Sequence, residues 1–332
     1  MNAQQIVLNA RPEGMPSKSD FSMIDAELPA IKAGEFLVKN LWMSVDPYMR
    51  GRMIDRESYI APFALGEVLE GGAIGEIIES NHADFPVGAK VNSMNGWRSH
   101  YITDGRDHTL LPQTPLCESH FLGVLGMPGM TAWTGLNRIA ELKQGETLFV
   151  SAASGAVGSV VCQLGLLMGA KVIASVGSDE KAEALSAMGV EQVINYKTTA
   201  NLSAALSAAA PQGVDVYFEN VGGEHLAAAL DNMNDHGRIA VCGMISQYND
   251  TAPTQGPSNL AYIIMKKLKI EGFIVSEHWQ HYGEFSQQMG QWLASGQVKA
   301  EQTIYEGLEQ APAAFIGLFE GKNRGKMVVK LA

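Results

Sequence analysis

The hydrophobic and polar positions of the chain change their period near residue 122. Before this point, segments such as EFLVKNLWMSVD (35–46) and VLEGGAIGEIIES (68–80) alternate between apolar and polar residues or are apolar over several positions. Such short segments, bounded by Gly and Pro turns, are typical of β-strands, and no long helical period accompanies them. Residues 1–121 are therefore predicted to form a mostly antiparallel β domain, folded as a partly open barrel.

From residue 122 onwards, short apolar segments alternate with segments of helical length. A helical pattern over 121–142 precedes a strand at ETLFVSA (146–152), and strand–helix pairs such as AKVIASVG with DEKAEALSAMG then repeat. This alternation predicts a doubly wound α/β fold with a parallel sheet. The tail, residues 313–332, contains a further helix and strand that are predicted to return to the β domain. The predicted domains are thus 1–121 with 300–332, and 122–299.

A run without any charged residue extends from Thr147 to Ala170 and is long enough to cross a bilayer. Its interior contains the turn ASGAVG (153–158), which is incompatible with a membrane helix exposed to lipid. The strand–AxxGxxG–helix pattern is instead a variant of the dinucleotide fingerprint, with Ala at the first glycine position. Gly155 allows the backbone to approach a pyrophosphate, and Gly158 allows close packing of helix and strand. On the motif alone, a purely structural turn of an α/β protein is the alternative.

The residues after the second strand bear on the choice of dinucleotide. NAD enzymes usually place an acidic residue there to bind the ribose hydroxyls. This strand ends in Val176-Gly177-Ser178, which leaves room for a 2′-phosphate, and Lys181 follows one helical turn later. Asp179 is the competing ribose ligand, although an acid in the first turn of a helix also stabilises the helix dipole. The pattern favours NADPH.

Composition and charge exclude several other functions. The chain has a net charge of −11 and no long basic run, which argues against nucleic acid and anionic membranes as partners. The N-terminus, MNAQQIVLNARPEG, lacks the pattern of a signal peptide. Three widely spaced cysteines without a CxxC motif are typical of reduced thiols. We therefore expect a cytoplasmic protein.

Motifs spread over nearly the whole chain carry a family resemblance. They are MSVDPYMRGRM (43–53), VLGMPGMTAW (124–133), ASGAVGSVV (153–161), GSDEK (177–181), INYK (194–197), FENVGG (218–223), CGMISQYN (242–249) and GKNRGKMVVK (321–330). Together they resemble the zinc-independent medium-chain dehydrogenase/reductase superfamily. More narrowly, they resemble its branch of prostaglandin and leukotriene reductases, alkenal double-bond reductases and curcumin reductases. The resemblance implies a Rossmann domain, a GroES-like β domain and a homodimer.

The resemblance also assigns residues to an NADPH site. The pyrophosphate turn matches Gly155, Ala156, Val157 and Gly158, while Lys181 and Tyr196 match contacts to the 2′-phosphate and the adenosine side. Positions beside the rest of the cofactor, including its nicotinamide half, match Thr131, Asn220, Gly243, Ile245, Ser246, Phe273, Val275 and Asn323. Without the resemblance, Phe273 and Val275 are equally well explained as core residues of a strand.

No metal site is expected in this sequence. There is no cysteine before Cys117, and LGEVLEGG (65–72) offers Glu67 without a histidine where the zinc-dependent relatives of this superfamily have GHE. His278 and His281 have a metal-like spacing but lack the third ligand that zinc requires. Reduction of a conjugated C=C bond needs no metal, because the carbonyl group already makes the β-carbon electrophilic.

A hydrogen-bond donor to the enolate oxygen is then sufficient for catalysis. The resemblance offers two tyrosines of the family. We expect Tyr248 to donate to the substrate carbonyl, and Tyr48 to shape and polarise the pocket. The alternative is that both tyrosines only line the pocket.

The predicted function is NADPH-dependent reduction of the C=C bond of α,β-unsaturated aldehydes and ketones. A quinone reductase is the nearest alternative, and a non-catalytic NADPH-binding protein is the alternative outside enzymes. The sequence leaves the substrate open among lipid enones, diarylenones and short alkenals. The strand-rich segment LAYIIMKKLKIEGF (260–273) is suited to extending a sheet across the twofold axis of a homodimer.

Overall fold

The computed structural model describes residues 1–332, which divide into two units. The N-terminal unit comprises Met1–Leu122, Gln302–Asn323 and Met327–Ala332. The central unit comprises Gly123–Glu301 and Arg324–Lys326.

The N-terminal unit is built mainly from β-strands. Its elements are β1 (Asn2–Leu8), β2 (Phe21–Glu27), β3 (Phe36–Ser44), α1 (Met49–Arg52), β4 (Ala73–Ser80), β5 (Lys90–Ser93), β6 (His100–Thr103), β7 (Thr109–Leu110), β14 (Gln302–Glu306), α9 (Ala311–Phe319) and β15 (Lys326–Lys330), with 3-10 turns at Lys18–Asp20, Glu118–Leu122 and Leu308–Gln310. β1 and β2 form an antiparallel pair. The other strands form a sheet in the order β14-β15-β3-β4-β5-β7, and β6 also pairs with β3.

The centre of this sheet is β3, which is antiparallel to β15, β4 and β6. Asn40 is a buried polar residue of β3, and its side-chain amide donates 2.8 Å hydrogen bonds to the carbonyls of Asn95 and Arg98. Nearby, Phe21 stacks on Trp97 with ring centroids 5.8 Å apart, and Phe315 from α9 meets both rings edge-on. The last helix therefore completes the core of the N-terminal unit.

The central unit alternates strands and helices. Its elements are α2 (Met127–Thr134), a π-helix (Gly135–Ile139), β8 (Thr147–Val150), α3 (Gly158–Leu167), β9 (Lys171–Val176), α4 (Asp179–Ser186), β10 (Gln192–Asn195), α5 (Leu202–Ala209), β11 (Val214–Glu219), α6 (Gly223–Asn232), β12 (Met233–Val241), α7 (Tyr262–Met265), β13 (Lys269–Gly272) and α8 (Tyr282–Ala294), with 3-10 turns at Ile245–Gln247 and Val275–His281.

The six strands of the central unit are parallel and follow the order β10-β9-β8-β11-β12-β13. This is the doubly wound order 3-2-1-4-5-6 of dinucleotide-binding sheets, in which ligands bind beyond the carboxyl ends of the strands. The predicted fold class, a Rossmann-type parallel sheet with a separate mostly-β unit, is therefore confirmed. The charge-free run 147–170 is divided into β8, a turn and α3. None of the helices combines the length and the apolar character needed to cross a membrane.

Two segments differ from the pattern predicted from sequence. The helical pattern over 121–142 is interrupted, because Pro128 lacks an N–H and fits only the first turn of a helix, which begins at Met127. Gly129 lies so close to the carbonyl of Val124 that a Cβ would stand 1.9 Å from its oxygen. The strand-rich segment 260–273 forms the short helix α7 and then β13, the edge strand of the sheet.

Candidate functional site

The glycine turn after β8 requires glycine for steric reasons. The N–H of Gly155 donates to the carbonyl of Ala152 at 2.9 Å, and α3 begins at Gly158. A Cβ on Gly158 would lie 2.4 Å from that carbonyl oxygen and 2.8 Å from the Cα of Ala153, so no side chain fits there. Ala156 and Val157 complete the turn, and the backbone amides at the start of α3 make this a site suited to phosphate.

A short C-terminal segment, residues 324–326, lies beside the glycine turn within the central unit. Gly325 donates to the carbonyl of Ser154 at 2.8 Å and forms an isolated bridge with Gly155. Arg324 pairs with Glu301 at 3.0 Å, which fixes the segment from its other side. Asn323, a predicted cofactor contact, directly precedes this segment in the chain.

The carboxyl ends of β9 and β10 form the part of the site predicted to bind the adenosine end. The backbone N–H of Tyr196 donates to the carbonyl of Val176 at 3.0 Å, which aligns the two strand ends. A Cβ on Gly177 would lie 3.0 Å from the hydroxyl oxygen of Tyr196 and 3.4 Å from Cε of Lys197. The small residue after β9 therefore leaves room beside a tyrosine and a lysine from the neighbouring strand end.

Two lysines supply positive charge at this position. Burial lowers the pKa of Lys181, and the positive charge of Lys197 lowers it further. The charge of Lys197 thus acts on Lys181, against the opposite effect of Glu180, and two positive charges in one place favour the binding of an anion. Asp179 accepts a 2.7 Å hydrogen bond from the amide of Asn195, so its carboxylate has a structural role here. Lys197 is part of the INYK motif, but the sequence did not single it out.

A buried histidine packs against the ring of Tyr196. His225, on α6, meets the ring of Tyr196 edge-on with centroids 5.0 Å apart. Its Nε2 lies 2.9 Å from the hydroxyl of Ser175 in β9, and both residues are buried. Burial lowers the pKa of His225 to about 4, so the imidazole is neutral near pH 7. No motif in the sequence indicated this packing.

The turn after β11 connects several residues predicted to lie beside the cofactor. The backbone N–H of Asn220 donates to the hydroxyl of Ser151 at 2.9 Å, and its side-chain amide donates to the carbonyl of the same serine at 2.7 Å. In turn, the carbonyl of Asn220 accepts from the N–H of Ile245 at 3.1 Å, and that of Val221 accepts from Ser246 at 3.1 Å. The fold thus joins Asn220, Ile245 and Ser246 through backbone hydrogen bonds.

Tyr248 follows the 3-10 turn Ile245–Gln247 and folds back on the same loop. Its hydroxyl accepts a 3.4 Å hydrogen bond from the N–H of Met244. A Cβ on Gly243 would lie 2.9 Å from that hydroxyl oxygen, so a side chain at this position would displace the tyrosine hydroxyl.

Tyr48 lies in the N-terminal unit, directly before α1. Burial, and then the charge of Asp46, raise the pKa of Tyr48 well above its ordinary value, so its hydroxyl keeps its proton near pH 7.

The short helix α1, which follows Tyr48, is held by two buried arginines. Arg50 donates to the carbonyl of Gly14 at 2.9 Å, and Arg52 forms a 2.7 Å ion pair with Glu70.

The remaining predicted contacts are on α2 and around the second 3-10 turn. Thr131 is buried, and its hydroxyl donates to the carbonyl of Met127 at 2.8 Å. Phe273 packs edge-on against Phe218, with centroids 6.3 Å apart, and Val275 begins the turn Val275–His281. His278 and His281 are on this turn, and nowhere in the structure do three or more His, Cys, Asp or Glu residues form a group that could hold a metal ion.

Comparison with known proteins gives matches over almost the entire chain. A family model described as the N-terminal domain of oxidoreductase matches residues 4–111, and one described as zinc-binding dehydrogenase matches residues 156–295. Mouse prostaglandin reductase 1 is 43% identical over 342 residues, covering 99% of both chains. The NADP(+)-dependent 2-alkenal reductase of Nicotiana tabacum is 41% identical over 336 residues, covering 99% of this chain and 97% of its own.

A solved structure agrees with these matches. The crystal structure of CurA from Vibrio vulnificus in complex with NADPH superposes with a TM-score of 0.94 at 42% identity, and 99% of each chain is covered. The similarity therefore covers the helices and strands of both units.

The glycine turn gives a first testable prediction. Gly158→Ala places a methyl group against a backbone carbonyl that cannot move aside, and we expect a loss of about 1–3 kcal/mol in the free energy of unfolding. We also expect NADPH to bind about tenfold more weakly or worse, because the turn must open to accept the methyl group. Urea denaturation and fluorescence titration with NADPH measure the two effects.

Gly290→Ala in α8 is the matched control. A Cβ there would have no atom within 4 Å, and alanine is the better helix former by about 1 kcal/mol. This control should be at least as stable as the wild type and bind NADPH equally well. A Gly158→Ala protein with wild-type stability and affinity would contradict the assigned role of the turn.

Proposed function

Because the chain belongs to the zinc-independent medium-chain dehydrogenase/reductase superfamily, in the branch of prostaglandin, 2-alkenal and curcumin reductases, we propose that it reduces the C=C bond of α,β-unsaturated aldehydes and ketones with NADPH. The observation that carries the proposal is the loop from Gly243 to Tyr248, which is held by hydrogen bonds to the turn that carries Asn220. A tyrosine hydroxyl is thereby placed on the same loop as residues assigned to the nicotinamide half.

The residues at the strand ends fit NADPH. The turn at Gly155 and Gly158 offers backbone without side chains where a pyrophosphate needs close approach. Lys181 and Lys197 supply two positive charges beside the small residues that follow β9, which suits a 2′-phosphate. The NADPH bound in the CurA relative supports the same assignment.

The proposed chemistry needs few groups from the protein. When bound, NADPH supplies the hydride that the substrate accepts at its β-carbon. We assign Tyr248 the donation of a hydrogen bond to the substrate's carbonyl oxygen, where negative charge develops during the reaction. We assign Tyr48 the shaping and polarising of the substrate pocket, and its raised pKa keeps it a donor at neutral pH. Addition of a proton at the α-carbon then yields the saturated carbonyl compound.

A substrate panel tests the proposed reaction directly. NADPH absorbance at 340 nm is followed with a long-chain 2-alkenal, a diarylenone and a quinone, and a secondary alcohol is tested with NADP⁺, each with and without a chelator. We expect consumption of NADPH with the first two, a saturated carbonyl product, and no effect of the chelator. Activity confined to the quinone would favour a quinone reductase, and binding of NADPH without any turnover would favour a non-catalytic protein.

Tyr248→Phe tests the assigned donor. Removal of one hydrogen-bond donor to a developing oxyanion typically lowers kcat by about 100- to 1000-fold, and a donor shared with other groups costs less, so we expect at least about tenfold. The affinity for NADPH should stay within about threefold, because the ring remains. Tyr101→Phe is the control, since its buried hydroxyl bonds to Ser93 at 3.0 Å in the core of the N-terminal unit. Equal kcat for Tyr248→Phe and the wild type would refute the role.

The two lysines predict cofactor preference. We expect Lys181→Ala and Lys197→Ala each to raise the KM for NADPH about tenfold and to leave the KM for NADH unchanged, because only NADPH carries the 2′-phosphate. Lys171→Ala is the control, because Lys171 is at the opposite end of β9 and bonds to Gln212 at 3.3 Å. If KM for the two cofactors rose equally, the lysines would not bind the 2′-phosphate.

We further propose a homodimer formed through the edge of the central sheet. β13 is the last strand of the sheet, and in the preceding α7 the side chains of Ile264 and Met265 are 83% and 65% exposed. A second copy that pairs with β13 would cover the unpaired strand edge. Light scattering should give twice the chain mass of 35.7 kDa, and Ile264→Glu should shift the protein to the monomer mass. A wild-type monomer at micromolar concentration would refute this proposal.

A further inference from the structure

Glu219, the last residue of β11, has a buried carboxyl group that collects hydrogen bonds from the turn that follows it. Its side chain is 0% exposed. Its Oε1 accepts from the backbone N–H groups of Val221 at 2.7 Å and Gly222 at 2.9 Å. The hydroxyls of Tyr217 and Ser151 lie 2.7 and 3.2 Å from the same oxygen. One carboxyl oxygen therefore serves four donors, three of them in fully buried hydrogen bonds.

This turn is the structural support of the residues assigned to the nicotinamide half. Because the carboxyl group of Glu219 binds the N–H groups of the Asn220–Val221 and Val221–Gly222 peptides, it also fixes the carbonyls of Asn220 and Val221, which belong to the same two peptides. These carbonyls accept the N–H groups of Ile245 and Ser246. The position of the loop therefore depends on the shape of the turn.

The backbone of Glu219 holds the start of the same loop. Its carbonyl oxygen accepts from Cys242 at 2.9 Å and from Gly243 at 3.2 Å. The next residue, Met244, donates its N–H to the hydroxyl of Tyr248. The main chain of Glu219 thus holds the start of the segment that connects β12 to Tyr248, and its side chain holds the turn to which Ile245 and Ser246 are bonded.

An acceptor is required at this position, and a neutral one is tolerated. Donors buried without an acceptor cost free energy, which excludes an apolar residue beneath the turn. Burial also raises the pKa of the Glu219 carboxyl group, against the effect of the hydrogen bonds that it accepts from Gly222, Tyr217 and Val221. Its second oxygen, Oε2, is buried without a hydrogen-bond partner. A glutamine side chain, neutral and of nearly the same shape, keeps the accepting oxygen.

We propose that Glu219 is a positioning residue for the nicotinamide half of the cofactor: it fixes the 220–222 turn, and through that turn it places Asn220 and the loop 243–248 that carries Tyr248. This inference rests on the proposed NADPH-dependent function. The adenosine side, with Lys181 in the first turn of α4 and Lys197 just after β10, is on the other side of β8 and shares none of these hydrogen bonds. Loss of Glu219 should therefore weaken binding of the nicotinamide half of the cofactor and leave binding of the adenosine half unchanged.

Two ligands distinguish the nicotinamide half of the cofactor site from the adenosine half, and their binding is measured without turnover. Dissociation constants are measured for NADPH and for 2′,5′-ADP, which contains only the adenosine and phosphate groups. Glu219→Met removes the acceptor at constant length, and we expect NADPH to bind about tenfold more weakly while 2′,5′-ADP stays within about twofold. Glu219→Gln keeps the acceptor and should bind both ligands within about threefold of the wild type. If the methionine variant does not fold, Glu219→Asp, which withdraws the carboxyl group from the turn, should show the same selective loss.

The matched control is an acid at the opposite end of the same strand. Asp215 accepts from the N–H of Thr147 at 2.9 Å and from the amide of Asn234 at 2.7 Å. Asp215→Leu removes comparable hydrogen bonds, so we expect a lower melting temperature with unchanged affinity for both ligands.

The outcomes separate a positioning role from a merely structural one. A parallel loss of NADPH and 2′,5′-ADP affinity in the Glu219 variants, or no loss of NADPH affinity, would overturn the inference. A wild-type protein that binds NADPH but reduces no enone would refute the proposed reaction alone, because these affinities are measured without turnover. A wild-type protein that does not bind NADPH would overturn both.

Discussion

The candidate site depends on one constraint: the buried backbone N–H groups just beyond the carboxyl ends of the central strands need hydrogen-bond acceptors within the protein. At the end of β8, Ser151 accepts the backbone and side-chain amides of Asn220. At the end of β11, Glu219 accepts two further amides of the same turn. Because a buried unpaired donor is costly, these two side chains leave the turn little freedom. The residues assigned to the cofactor are consequently held by the core of the unit.

The electrostatics of the site differ from those of the whole protein. The chain carries a net charge of −11, yet Lys181 and Lys197 are close enough for the charge of one to lower the pKa of the other. A 2′-phosphate bound between the two lysines, as proposed above, would offset this repulsion. His225, which packs against Tyr196, stays neutral near pH 7 and adds no further positive charge.

The two tyrosines are prepared for hydrogen bonding in different ways. Burial and the nearby Asp46 keep Tyr48 protonated, and its short helix is held by arginines that bond to the body of the N-terminal unit. Tyr248 instead depends on the backbone beneath it, because its hydroxyl accepts the N–H of Met244 over a glycine without a side chain. The protonation of Tyr48 is thus set by burial and a nearby charge, whereas the position of the Tyr248 hydroxyl is set by the conformation of one loop.

The sequence by itself determined the features that depend on neighbours along the chain. The alternation of apolar segments predicted the parallel sheet, and the glycine spacing predicted a turn at 153–158, which in the structure lies between the end of β8 at Val150 and the start of α3 at Gly158. The helical pattern over 121–142 is interrupted in the structure, and periodicity alone does not register how tightly Gly129 packs on Val124. Only the tertiary structure brought Lys197 beside Lys181, His225 beside Tyr196, and Glu219 beneath the turn. The two lysines, and the pair of His225 and Tyr196, are distant in sequence and are brought together by the order of strands in the sheet, which no local pattern encodes. Glu219 is next to its turn in the chain, but the burial of its carboxyl group against Ser151 at the neighbouring strand end follows from the same order.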